Sequence, residues 1–220
     1  MHAVIINGSP RVEKFSNTDK IIDAFAEGIA AEGASFEKYA VSRKNSWEEI
    51  RNAYINNTEI LIALPLFVEN IPGLLLEFLG TLPQKDTNTR VSFILQGGFA
   101  EASQLKCGKD FLEKIPGYLG VSYGGTLIKG DYFGIRFWQG EEVKKITGPY
   151  TDMGKAFVKE NGFRPETVKK FAGPEYFPPA VRFMLNLVFK TFAKKKFAAA
   201  AKEWGCTVPL DDKPWERSAN

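Results

Sequence analysis

Histidine is almost missing from this chain: His2 is the only one in 220 residues. That leaves no basis for a Ser-His-Asp triad or a histidine-rich metal site. Cysteine is nearly as scarce. Cys107 and Cys206 stand too far apart for a CxxC redox pair or a cluster-binding run, which fits a reducing, cytoplasmic compartment. No uncharged stretch approaches the length of a membrane span, so stable membrane insertion is not expected. The first residues carry no basic segment, apolar run and cleavage site, because strand-like residues begin at once. The net charge of +3 is too small to argue for nucleic acid. Its small positive excess lies late in the chain: residues 151–220 hold 13 Lys/Arg against 8 Asp/Glu, and residues 1–150 hold 16 against 18. There is no internal repeat.

What is present is the composition of an ordinary globular protein, 44% hydrophobic and 25% charged, with enough length for one domain and an extension. Short apolar runs alternate with amphipathic ones. Strands are expected at 3–7, 35–41 (polar, hence an edge), 59–64, 90–96 and 123–129. The runs at 59–64 and 90–96 are almost continuously apolar, as in parallel strands covered on both faces. Helices are expected at 17–32, 46–56, from 72 onward, and over 102–119 with a disturbance at Pro116-Gly117. Ser16 and Asp19 form a capping box at the start of the first of these. Strands alternating with helices predict an α/β fold, a doubly wound five-stranded parallel sheet. Beyond residue 130 the expectation is a mostly helical extension, 131–220. It is irregular over 130–148, helical over 150–162 and again over a long run at 180–204, with a polar tail from 206.

In such sheets ligands bind beyond the carboxyl ends of the strands, where three segments converge. The first is Asn7-Gly8-Ser9-Pro10-Arg11 followed by Ser16-Asn17-Thr18. A strand, a hydroxyl-rich loop and a helix start make a phosphate site, because the first amides of a helix lack partners and carry partial positive charge. No Gly-Lys-Ser/Thr and no G-x-G-x-x-G occurs in it, which excludes a Walker A loop and a dinucleotide fingerprint. The second segment, Pro65-Leu66-Phe67-Val68-Glu69-Asn70-Ile71-Pro72-Gly73, is an apolar loop suited to a flat aromatic ligand, with Phe67 as the stacking residue. The third, Gln96-Gly97-Gly98-Phe99-Ala100-Glu101, lets backbone approach a ligand.

Together these segments resemble the NAD(P)H-dependent FMN reductase group of the flavodoxin-like superfamily, over about residues 1–130. The resemblance implies strand order 2-1-3-4-5 and bound FMN, with NAD(P)H as co-substrate. It implies that Ser9, Arg11, Ser16, Asn17 and Thr18 hold the FMN phosphate. Pro65, Leu66, Phe67 and Val68 would flank the isoalloxazine, and Gly97, Gly98 and Phe99 would approach its far side. Related iron–sulfur flavoproteins carry a cysteine cluster after the second strand. Val41-Ser42-Arg43-Lys44-Asn45 has none, so no cluster and no metal is expected. The implied protein is a homodimeric enzyme with no catalytic side chain, passing hydride from NAD(P)H to a quinone, flavin or nitro/azo aromatic in a ping-pong cycle. A non-enzymatic flavodoxin-type electron carrier and a phosphate-ligand-binding regulatory module stay open as alternatives. Two further features lie outside the three loops. Cys107 reads as an ordinary helical cysteine and Lys194–Lys196 as a solvated helix face. The apolar run 181–192 must bury against the sheet, a second subunit or lipid; a dimer contact or a cover over the sheet edge is expected.

Overall fold

Alternation within the strands decides how the sheet is covered. The computed structural model describes residues 1–12, 15–132, 134, 135 and 138–216. Its first compact unit, residues 1–176, is built on five parallel strands: β1 (His2–Asn7), β2 (Ser35–Ala40), β3 (Glu59–Pro65), β4 (Arg90–Gln96) and β5 (Ser122–Lys129), in the order β2-β1-β3-β4-β5. Successive side chains of a strand point to opposite faces, and both faces here are apolar. Val4, Ile6, Ile60, Ile62, Leu64, Val91, Phe93 and Leu95 form one core with α2 (Trp47–Asn56), α3 (Gly73–Leu79), α4 (Lys106–Leu112) and α5 (Ile115–Leu119). Ala3, Ile5, Leu61, Ala63, Ile94 and Leu127 form the other with α1 (Asn17–Ala31) and α6 (Glu141–Glu160). The edge strand β2 is polar and half exposed, as expected.

The helices differ from expectation where proline intervenes. The single helix expected over 102–119 is a 3₁₀ turn (Ala102–Leu105) followed by α4 and α5. The break falls just before Pro116, which sits in the first turn of α5, where its missing N–H costs nothing. The stretch expected to be irregular up to residue 148 is already helical from Glu141, and α6 runs through Pro149. Gly148-Pro149 reads locally as a stop. Yet Val143, Ile146, Tyr150, Met153 and Phe157 keep one apolar face across it, against the α1 side of the sheet. Burial of that face outweighs the hydrogen bond lost at proline. A further helix, α7 (Pro165–Ala172), has no counterpart in the sequence reading.

Close contact of α1 with α6 rests on two glycines. A Cβ on Gly28 would fall on the carbonyl of Thr151, and one on Gly154 on the carbonyl of Phe25. Phe25, Phe157 and Phe163 pack edge-on beside this contact. The first unit therefore continues past residue 130, because α6 and α7 supply the cover that one face of the sheet needs.

The second unit, residues 177–220, contains α8 (Pro179–Val188), a π turn (Phe189–Ala193) and α9 (Lys194–Glu203) in unbroken succession, close to the expected 180–204. Of the polar tail, 217–220 lie outside the described residues.

Candidate functional site

β1, β3 and β4 end side by side, and the three loops leaving them enclose a cavity of about 500 Å³, within the range of small-molecule sites. The loop after β1 is organised by the buried side chain of Asn7. Its Oδ1 accepts from the amide of Ser9 at 2.9 Å, and its Nδ2 donates to Ser16 Oγ at 3.5 Å and to Asp19 Oδ1 at 3.4 Å. Ser16 caps α1 by accepting from the amide of Asp19 at 3.3 Å, the expected capping contact. The amides of Asn17 and Thr18 remain among the first-turn donors with no intrahelical acceptor. Ser9 Oγ accepts from the amide of Arg11 at 3.3 Å, which leaves its hydroxyl proton for another acceptor. Gly8 donates to Ala63 O at 2.7 Å. A Cβ there would meet Leu75 Cδ2 at 2.8 Å and Ala63 O and Leu64 Cβ at 3.3 Å, so glycine eases the close approach of the loop to β3.

The loop after β3 is a two-residue hairpin. Phe67 and Asn70 exchange backbone hydrogen bonds of 2.9 and 3.0 Å, and Val68 and Glu69 between them take φ of 48° and 62°. Two positive φ values in succession define a type I′ turn, usually made by Asn-Gly. A β-branched valine there is strained, and strain of this kind concentrates at ligand sites. The amides of Val68 and Glu69 have no acceptor among the described residues. Cys107 donates its thiol to Glu69 O at 3.2 Å, so α4 steadies the hairpin tip.

The loop after β4 is held from below. Gly97 donates to Lys129 O, Asp131 donates to Phe99 O and Tyr132 donates to Gly97 O, each at 3.1 Å. A Cβ on Gly130 would fall on the Phe99 carbonyl. Phe99 itself is 74% exposed and Phe67 44%, two aromatic rings left at the cavity rim.

Eleven of the twelve expected site residues line the cavity: Ser9, Arg11, Asn17, Thr18, Pro65, Leu66, Phe67, Val68, Gly97, Gly98 and Phe99. Ser16 does not; it is fully buried and spent on capping and on Asn7. Asn17 lines the cavity but donates its Nδ2 to Tyr132 O at 3.0 Å, tying the start of α1 to the segment after β5. Two further lining residues were not among the expected site residues, although Gln96 opens the third segment. Gln96 donates to Thr18 Oγ1 at 2.6 Å and so fixes that hydroxyl's orientation. Strand alternation points to it, since it follows Ile94 onto the α1 face. Tyr132, whose phenol burial pushes up to about 12, lies in a stretch without periodicity and gave no signal. Among the described lining residues Arg11 is the only charged one, and it has no ion-pair partner among the described residues. A second cavity of about 330 Å³ adjoins the first and shares Leu66, Val68, Gly97, Gly98 and Phe99 with it. The lone histidine is at the opposite end of β1, against Ser35 and Glu37.

The fold is flavodoxin-like. An NAD(P)H:quinone oxidoreductase from Methanothermobacter marburgensis superposes with a TM-score of 0.56 at 13% identity, over 72% of this chain and 97% of that one. An NADH:FMN oxidoreductase in its apo form gives 0.55 at 17% identity, over 82% and 98%. An FMN-dependent NADH-azoreductase from Bacillus anthracis str. Ames Ancestor, in complex with FMN, gives 0.53 at 14% identity, over 72% and 99%. No protein-family model and no curated protein matches the sequence. At these identities the likeness is one of fold, and a function has to be argued from the cavity.

Proposed function

We propose that this chain is an FMN-dependent oxidoreductase that passes hydride from NADH or NADPH to a small acceptor, a quinone, a flavin or a nitro or azo aromatic, in a ping-pong cycle. One observation carries the reading. Among the described residues lining the cavity at the strand ends, the one charge is the guanidinium of Arg11, which lies in the loop that leads to the helix-start amides, while Leu66, Phe67 and Phe99 from the other two loops give the cavity apolar walls. A ligand that is anionic at one end and flat and apolar at the other matches this division. FMN is such a ligand, and when bound it supplies reversible two-electron chemistry that the side chains here do not.

The protein's own groups have distinct tasks. Arg11 offers a fork of N–H donors to a phosphate dianion, and the Ser9 hydroxyl and the amides of Asn17 and Thr18 complete the cradle. Ser16 acts through the others as a positioning residue, by holding the first turn of α1. Phe67 and Phe99 would shield a bound ring from water. The free amides of Val68 and Glu69 are donors for its polar edge, and the absence of any carboxylate among the described lining residues avoids repulsion of negative charge there. The adjoining cavity has room for a second flat molecule on the other side of the shared wall. The exposed thiols Cys107 and Cys206 support a reducing, cytoplasmic compartment. A homodimer belongs to this reading through the resemblance alone, and light scattering reads it directly.

The phosphate assignment is tested by FMN titration of Arg11→Ala and Ser9→Ala, followed by flavin fluorescence. Loss of a charge-assisted contact of about 1.5–3 kcal/mol predicts affinity lower by about 10- to 100-fold for Arg11→Ala, and a smaller loss for Ser9→Ala. Unchanged affinity in both variants refutes the assignment.

A further inference from the structure

The second unit presents a surface that the flavin reading does not use. From 179 to 203 it is one helical rod, about 37 Å long at about 1.5 Å per residue, and no residue of it is buried. Phe183, Met184, Leu187, Val188, Phe189 and Phe192 are each at least 42% exposed. Contiguous apolar surface of this kind marks an interaction site. The same rod is rich in cationic charge: Arg182, Lys190, Lys194, Lys195, Lys196 and Lys202 against Glu203 alone within 179–203, with Lys194 paired to Asp211 of the tail at 3.1 Å. Arg182, Asn186, Lys190 and Lys194 recur at four-residue steps. Such a repeat drifts by about 40° per step on an α-helix, and the wider π turn at Phe189–Ala193 takes back part of that drift, which keeps these polar residues together.

We propose that residues 179–204 form an interfacial helix that lays its apolar residues into the headgroup boundary of an anionic lipid bilayer. An exposed apolar surface combined with basic residues fits that environment. Lysine stems can lie along the apolar surface while the ammonium groups stay among the headgroups, and Trp204, 75% exposed at the end of the rod, is a residue of the membrane–water boundary. The rod lies on the membrane and does not cross it. No helix among the described residues is long and apolar enough to span, and Arg182 and Lys190 interrupt the apolar run. A second copy of the chain is a poorer occupant, because it would bring its own Lys194–Lys196 run against a rod whose six cations face one acidic residue. This proposal stands apart from the flavin reading.

The test is sedimentation of the full chain with vesicles, one set of phosphatidylcholine and one containing about a third phosphatidylserine. The full chain is expected to sediment with the anionic vesicles, to be released by salt, and to show a blue-shifted tryptophan emission when bound. At about 1 kcal/mol per surface lysine, Lys190→Glu/Lys195→Glu/Lys196→Glu loses at least 100-fold in binding. Leu187→Ser/Phe192→Ser also weakens it, with the circular dichroism of the sheet unit unchanged in both. No sedimentation with either vesicle, or equal and salt-insensitive sedimentation with both, overturns the proposal. A dimer in buffer that Leu187→Ser/Phe192→Ser abolishes, without vesicle binding, overturns it in favour of a second copy.

Discussion

Arg90 shows how much one residue can organise away from the site. It donates through Nε to Glu59 at 3.0 Å and through Nη2 to Asn161 Oδ1 at 3.0 Å, joining the starts of β3 and β4 to the residue that ends α6 at a φ of 54°. Glu59 is buried. Burial pushes its carboxyl above the ordinary range, and the Arg90 hydrogen bonds and charge pull it partly back. With the folded pKa above the unfolded one, the folded state holds the proton more tightly. Stability from this group is therefore fullest below the unfolded value and declines as pH rises through the folded one. Arg90→Ala removes the compensating charge. Urea denaturation at neutral pH is expected to show a loss of about 3–5 kcal/mol, with Arg90→Ala/Glu59→Gln recovering part of it. The loss in Arg90→Ala should shrink as pH falls below the ordinary carboxylate range, and a loss that does not change with pH contradicts the pairing. That Arg11 and Ser9 line the cavity was legible in the sequence, because a loop between a strand and a helix start in such a sheet lies at the carboxyl ends of the strands. Ser16 was legible twice, as a cap and as a ligand residue, and a hydroxyl already holding Asp19 and Asn7 serves the first of these. Tyr132 was not legible, because the chain brings it to the cavity only by the turn that follows β5.

At the scale of elements, the inner strands could be read because parallel strands covered on both faces are apolar at nearly every position. The helices were harder, since an amphipathic face that continues across a proline looks like two fragments. Only the demand of the sheet for cover on the α1 side makes α6 one helix. That demand is met through backbone contact at Gly28 and Gly154, neither of which announces itself in the sequence. Gly154→Ala would drive a methyl group into the carbonyl of Phe25, where backbone cannot yield as a side chain can. Overpacking of this kind costs about 1–3 kcal/mol, although alanine is the better helix former. Chemical denaturation is the measurement, and a stabilised Gly154→Ala variant would show that the two helices are not in contact there. The hairpin at Phe67–Asn70 has the opposite character. Val68 and Glu69 are poor residues for its turn, and the Cys107 thiol and the exchanged bonds of Phe67 and Asn70 hold the turn in spite of them.

For the whole molecule, one end of the sheet gathers three loops around a cavity with one cation among its described lining residues, and the other end is tied down by Glu59 and Arg90. Most of the first unit was legible: the five strands could be read from their apolar runs, and the order β2-β1-β3-β4-β5 is the one the flavodoxin-like resemblance implies, with the polar strand at an edge. Its extent to residue 176 was not, because α7 is short and half-exposed. The second unit was legible as a helix, and its exposure required coordinates. The central claim is that the cavity holds FMN and exchanges electrons with a reduced nicotinamide. It is tested most directly by the absorption spectrum of the purified protein loaded with FMN, before and after NADH or NADPH is added without oxygen. The account predicts a flavin spectrum that bleaches with one of the two and returns with a quinone. A bound flavin that neither nicotinamide bleaches, or a protein that takes up no flavin, would contradict it.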